Sequence, residues 1–230
     1  MVNAFILLAN ICLPATAVFL SLKCPSTPFR WWFSLLITAH VAIRMWETFF
    51  TSREKDPRRF AGDWTLAVGT LAYIGLCFVI TFEFFLISRE RFLFVSLVGL
   101  VLYIFAARLR WWGQITLGKQ WAIHVVGEEK IKKNRLLQLG PYEFIRHPIY
   151  SGILIEEIAL PLLANTYYAL VMAVLINIPL LLIRLFAEEK KSSEKFGDDY
   201  HAYSQKSGRF FPKGEKWPLF FKKIFSEVIR

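Results

Sequence analysis

The sequence predicts an all-α integral membrane protein with about six transmembrane or membrane-dipping helices, and three observations carry that expectation. First, 55% of the 230 residues are hydrophobic and 17% are aromatic, too apolar a mixture for a water-soluble domain of this length. Second, the apolar residues gather into six runs, 3–22, 31–50, 64–88, 92–107, 149–164 and 167–183. A hydrocarbon core takes about 20 such residues per helix. Third, the net charge of +10 falls mainly on alternate loops. Starting the chain on the cytoplasmic side puts Arg53, Lys55, Arg58 and Arg59 inside, together with the cations between Arg108 and Arg146 and those from Arg184 onward. Only Lys23, Arg30, Arg89 and Arg91 stay outside. That asymmetry is the positive-inside rule, so the basic excess reports topology and contact with anionic lipid rather than nucleic-acid binding.

The first four runs, residues 1–107, read as a helical frame. Pro14 is placed to kink the first. Trp31, Trp32, Trp46 and Trp64 stand near run ends, where amphipathic rings favour the membrane interface. Several runs are impure: the second carries His40, Arg44 and Glu47, the third Glu83 and the fifth Glu156 and Glu157. Those faces should look into protein or water, with Arg44 and Glu47 at the i,i+3 spacing of an ion pair. Cys12, Cys24 and Cys77 are scattered and imply neither a metal site nor a disulfide framework. The first run lacks a basic leader and a small-residue cleavage site, which marks a retained span.

Residues 108–212 form the second region, with no repeat or linker separating it from the frame. The stretch 108–119 is expected to leave the fourth span and turn along the membrane face. Residues 120–138 are polar; Lys130, Lys132, Lys133 and Arg135 suit either phosphate or lipid headgroups. Gly140-Pro141 spells a turn. Pro148 fits a first helical position, so His147 falls at the N-cap of the apolar helix that follows. The run from 149 to 183 is too long for one span, and a hairpin turning at Ala164-Asn165-Thr166 fits it. That returns Arg184 and Glu188, one helical turn apart, toward His147. Gly197 is expected to close that helix, with Asp198 opening another. In the tail, 213–230, Trp217, Phe221, Ile224, Phe225 and Val228 share one face of an interfacial amphipathic helix.

The chemistry concentrates where helices meet the cytoplasm. No GxGxxG, GxxxxGK[ST], HExxH or GxSxG motif occurs, which leaves a soluble-type nucleotide fold unsupported. What remains is Arg146 with His147 at a helix start, where free N–H groups favour an anion, and Arg184 with Glu188 and Glu189 at a helix end. Cations beside carboxylates suit a zwitterionic cofactor and a lipophilic partner.

The stretch 124–212 resembles the isoprenylcysteine carboxyl methyltransferase family, itself similar to phospholipid methyltransferases. The matching residues are His124-Val125-Val126, Leu136-Leu137, Gly140-Pro141-Tyr142, Arg146-His147-Pro148-Ile149-Tyr150-Ser151-Gly152, Arg184, Glu188-Glu189, Phe196-Gly197-Asp198-Asp199-Tyr200, Tyr203 and Gly208-Arg209-Phe210-Phe211-Pro212. The resemblance implies a cytoplasmic pocket for S-adenosylmethionine, formed by the C-terminal half. Its contacts would be Leu136, Leu137, Tyr142, His147, Pro148, Ile149, Tyr150 and Glu188, and the aligned pocket would also include Gly127, Asn134 and Arg135, with relatives carrying Gln in place of Gly127 and His in place of Asn134. Arg146 would help hold the methionine carboxylate. Arg184 would face a lipophilic small-molecule or lipidated-peptide acceptor, making Arg184 and Glu188 the catalytic pair. An amine or hydroxyl acceptor would need a base, for which Glu188, Glu189 and Glu156 are candidates. The implied location is a bacterial inner membrane or the endoplasmic reticulum. The first half of the signature is shared with membrane reductases, so an NADPH-dependent reductase of a sterol-like or enone lipid is the competing expectation.

Overall fold

A computed structural model describes residues 2–49, 64–118 and 136–226. Gly127, Asn134 and Arg135, and the cations of the first inner loop, lie outside the described residues. All regular structure among those described is helical: α1 (Val2–Lys23), α2 (Arg30–Phe49), α3 (Trp64–Leu86), α4 (Leu93–Leu117), α5 (Pro148–Ala164), α6 (Tyr167–Met172), α7 (Ile178–Phe196), α8 (Asp198–Lys206) and α9 (Trp217–Ser226). A π-helical turn, Ala173–Asn177, joins α6 to α7, and 3₁₀ turns cover Gly140–Glu143 and Gly214–Lys216.

Among the described residues, four helices are long and apolar enough to cross a membrane: Ala4–Lys23, Trp64–Leu86, Leu93–Leu117 and the continuous Tyr167–Phe196. The expectation of about six is therefore met by four on length and composition. The physical reason is visible in the other two. α2 carries His40, Arg44 and Glu47, and α5 has only 17 residues with two glutamates among them. The expected turn along the membrane face at Arg108 is also corrected. α4 runs unbroken to Leu117 and yields only at Gly118, whose φ of +46° suits a residue without a side chain.

The chain divides into two compact units. The first comprises residues 1–101 and 157–181. Here α1 packs on α2 and α3, Phe33 stacks on Phe84 with centroids 4.0 Å apart, and Ser21 bonds Ser34 at 2.7 Å. The hairpin turns where expected. Asn165 adopts φ +56°, its Oδ1 accepts from the Phe92 amide at 3.0 Å, and its Nδ2 reaches Ser96 at 2.7 Å. Buried Glu83 accepts the first amides of α6, Tyr168 at 3.2 Å and Ala169 at 2.8 Å, and pairs with Arg89 at 3.1 Å. Those are the donors a helix start leaves open. At Gly99 an added Cβ would lie 2.4 Å from the Leu163 amide nitrogen, so glycine allows α4 to approach the end of α5.

The second unit comprises residues 102–156 and 182–230. Its core joins Leu109 and Trp112 of α4 to Phe144, Ile145, and Phe220 and Ile224 of α9. This corrects the expected tail face: Phe220 and Ile224 point inward, while Trp217, Phe221 and Phe225 remain on the surface. Val228 lies outside the described residues. Arg110 and Glu156 form an ion pair sealed from solvent, 1% and 0% exposed. Gly152 leaves the room for it, since a Cβ there would meet Arg110 Cγ at 2.4 Å.

Candidate active site

The site assembles in the second unit, from the chain on either side of α5 and the polar end of α7. Gly140 takes φ +58° beneath Thr116, whose hydroxyl oxygen would lie 2.6 Å from an added Cβ. Pro141 then starts the 3₁₀ turn. Leu136 and Leu137 lead into it, half-buried. Tyr142 is buried; its carbonyl accepts the Tyr203 hydroxyl at 2.7 Å. Burial raises the hydroxyl pKa values of both Tyr142 and Tyr203 above the usual phenol range.

Residues 144–147 lie alongside 208–209 through a short parallel bridge. Gly208 N donates to Phe144 O at 2.9 Å, Arg146 N to Gly208 O at 2.8 Å, and His147 N to Arg209 O at 3.3 Å. α5 begins at Pro148, as the sequence predicts, and the Ser151 amide donates to the His147 carbonyl at 2.9 Å. The Ser151 hydroxyl bonds that carbonyl and the Phe210 carbonyl, at 2.9 and 2.8 Å. Ile149 packs under Gly113, 2.9 Å from where a Cβ would stand.

Two carboxylates organise the polar side chains. Glu189 receives Arg146 Nε at 3.1 Å and Arg209 Nη2 at 2.8 Å, with His147 Nε2 at 3.2 Å. Arg146 also donates to the carbonyls of Ser204 and Ser207, at 3.0 and 2.8 Å, so much of its donor capacity is spent holding α8 and the segment after it. Glu188 receives Arg184 Nη2 at 3.0 Å and the Tyr150 hydroxyl, and that hydroxyl accepts Arg184 Nε at 2.8 Å. Both contacts of Glu188 use Oε1, leaving Oε2 without a partner among the described residues. The Glu188 side chain is 27% exposed against 12% for Glu189, so Glu188 is the carboxylate a ligand can reach.

The charge pattern follows. Around Glu189, two guanidiniums against one carboxylate leave one net positive charge beside the N–H groups that open α5, an arrangement that attracts a carboxylate. Arg184 and Glu188 neutralise one another. These residues therefore fit a zwitterionic ligand with a carboxylate at one end and hydrogen-bond donors at the other. No group of three His, Cys, Asp or Glu among the described residues has metal-binding geometry.

The structure brings together Tyr142, Arg146, His147, Pro148, Ile149, Tyr150, Arg184 and Glu188. Sequence reasoning gave no role to Arg209, which arrives 62 positions after His147 through the backbone bridge; its only signal was its place in Gly208-Arg209-Phe210-Phe211-Pro212.

The profile of the isoprenylcysteine carboxyl methyltransferase family matches residues 97–193, a stretch that carries α5, the hairpin and both carboxylates. Through these residues the chain is similar to the isoprenylcysteine carboxyl methyltransferase family. Among its relatives, a protein-S-isoprenylcysteine O-methyltransferase of Xenopus laevis is 26% identical over 199 residues, 84% of this chain and 67% of its own length. A probable protein-S-isoprenylcysteine O-methyltransferase of Oryza sativa is 30% identical over 117 residues, 51% and 61% of the two chains. An uncharacterized protein of Bacillus subtilis is 30% identical over 101 residues, 42% and 56%. The matched stretches thus cover between 56% and 67% of these relatives' own lengths. The four long apolar helices mark an integral membrane protein.

Proposed function

We propose that this chain is an S-adenosylmethionine-dependent methyltransferase acting on a lipophilic acceptor, with a carboxyl group of the isoprenylcysteine type as the methylated function. The observation that carries the reading is the pairing of two carboxylate clusters at one helix start: the cationic Glu189 cluster and the reachable Glu188 with Arg184. In the same reading α2 and α5 are embedded in the membrane with the four longer helices, and the site opens to the cytoplasm.

Each residue has a defined task. The Glu189 cluster and the opening N–H groups of α5 hold the methionine carboxylate. Glu188 Oε2 accepts hydrogen bonds from the polar groups of the cofactor. Gly127, Asn134 and Arg135 are proposed to complete that pocket. When bound, S-adenosylmethionine supplies a methyl group on a sulfonium, whose transfer to a carboxylate forms a C–O bond, leaves the C–S electron pair on sulfur and moves no proton. Arg184 therefore orients an anionic acceptor rather than activating it, and Tyr150 fixes the guanidinium through Nε. The rate gain rests on positioning and exclusion of water.

Purified protein should gain thermal stability with S-adenosylhomocysteine; stabilisation by NADPH alone overturns the reading in favour of a reductase. By isothermal titration, Glu188→Ala should weaken S-adenosylhomocysteine binding tenfold or more, on the order of 1.4 kcal/mol. Arg184→Ala should bind the cofactor within about threefold of the parent while turnover of a carboxylate acceptor collapses, by on the order of a hundredfold. Equal binding by parent and Glu188→Ala would remove Glu188 from the pocket.

A further inference from the structure

The tail of the second unit carries an apolar surface that the transfer reading does not use. In α9, Trp217, Phe221 and Phe225 recur every four residues, so they line one stripe of the helix, and all three are exposed. Phe211 extends the stripe. It is exposed and stacks on Trp217 with centroids 6.1 Å apart, as Trp217 stacks on Phe221 at 5.5 Å. A continuous bare row of aromatic rings marks a contact surface. The neighbouring face of α9 is already taken, since Phe220 and Ile224 are buried with Trp112, Phe144 and Ile145.

Two observations indicate what covers the stripe. Phe221 lies 6.1 Å from the Phe105 ring of α4, and Phe105 stands one turn before Arg108, where the apolar run of that helix ends. The stripe therefore sits at the edge of the hydrocarbon, the level at which an amphipathic helix embeds its aromatic face. The second observation is charge. Residues 206–226 hold six Lys or Arg against one acid, Glu215. Lys213 and Lys216 donate to backbone carbonyls at the end of α8, at 2.8 to 3.1 Å, which leaves their charge uncancelled, and exposed Lys222 directly follows Phe221. A second copy would bring like charge to this surface, and a zwitterionic headgroup layer gains little from it. An anionic layer is attracted by every cation near it.

The same helix supports the backbone bridge of the site. Phe220 packs on Phe144 with centroids 5.7 Å apart, and the Phe144 carbonyl accepts the Gly208 amide at 2.9 Å. We propose that Phe211, Trp217, Phe221 and Phe225, with Lys222, dock on anionic phospholipid of the adjoining leaflet, and that this seating holds the bridge between Ile145 and Gly208 closed. Lipid composition then sets how firmly residues 144–147 and 208–209 are clasped. The proposal stands independently of the methyl-transfer reading.

The test uses the full chain in phosphatidylcholine nanodiscs doped with bromine-labelled phosphatidylglycerol or bromine-labelled phosphatidylcholine. The fluorescence of Trp217 is the signal of the parent minus that of Trp217→Phe, a variant that keeps the aromatic stripe. Labelled phosphatidylglycerol should half-quench it at a mole fraction about tenfold lower than labelled phosphatidylcholine, and Lys222→Gln should reduce that preference by about fivefold. Hydrogen exchange supplies the second arm: amides of residues 144–147 and 208–209 should exchange more slowly when unlabelled phosphatidylglycerol is added, and this slowing should shrink in Lys222→Gln. An unquenched Trp217, equal quenching by the two lipids, bridge amides indifferent to phosphatidylglycerol, or a Lys222→Gln variant identical to the parent would each overturn the proposal.

Discussion

Tyr150 shows how one hydroxyl couples two charged side chains. It donates to Glu188 and accepts from Arg184, so removing it frees the guanidinium to swing while leaving the i,i+4 ion pair. Tyr150→Phe should therefore lower turnover by about tenfold while S-adenosylhomocysteine affinity, by titration calorimetry, changes much less. Tyr200 makes a second prediction at this scale. Burial, then the negative charge of Glu189, pushes its hydroxyl up to about 12 from an ordinary value of 10.0. The folded state thus keeps a proton that the unfolded chain releases, so this contribution is whole below pH 10 and is lost as pH rises from 10 toward 12. Unfolding midpoints measured across that window should fall less steeply for Tyr200→Phe than for the parent. The placement of His147 before a helix start, and of Arg184 and Glu188 on one helix face, was legible in the sequence because a proline fixes the first and i,i+4 spacing the second. Arg209 was not, because nothing local announces a partner so far along the chain.

Among the elements, the segment after α8 is the tightest piece of construction. An added Cβ at Gly208 would stand 1.7 Å from the Phe211 carbonyl oxygen, and backbone cannot yield as a flexible side chain can. Gly208→Ala should cost on the order of 3 kcal/mol and loosen the hold on Arg209, read as a lowered unfolding midpoint together with weaker S-adenosylhomocysteine binding. Helix starts and stops were the most readable features of this half: Pro148, Asn165 and Gly197 each sit where their backbone preference predicts. The extent of α4 was misjudged because two arginines and adjacent tryptophans resemble a membrane exit. In the structure Leu109 and Trp112 face the core, and no residue breaks the helix before Gly118. The inward face of α9 was misassigned for a related reason. Its apolar residues cover more than one face, and only packing against Phe144 and Trp112 selects Phe220 and Ile224.

For the molecule as a whole, composition made the membrane class legible, while the number of embedded helices depends on side chains that composition averages away. Arg44 with Glu47 in α2, and Glu156 in α5, place charge inside helices that a hydropathy count then discards; pairing, for Glu156 with Arg110 of α4, is what makes such burial tolerable. The orientation is testable on the intact protein. With a cytoplasmic site, a cysteine replacing Ser204 should react with an impermeant maleimide only in inverted vesicles, and Cys24, in the loop between α1 and α2, only in right-side-out ones; the reverse pattern would invert the topology. The bridge from Ile145 to Gly208 bears on biosynthesis as well. A nascent polypeptide can thread α1 to α7 into lipid while still unable to grip a ligand, because the segment that clasps the α5 start follows those helices in the chain. A premature stop upstream of codon 208 should therefore yield a correctly inserted but inert product.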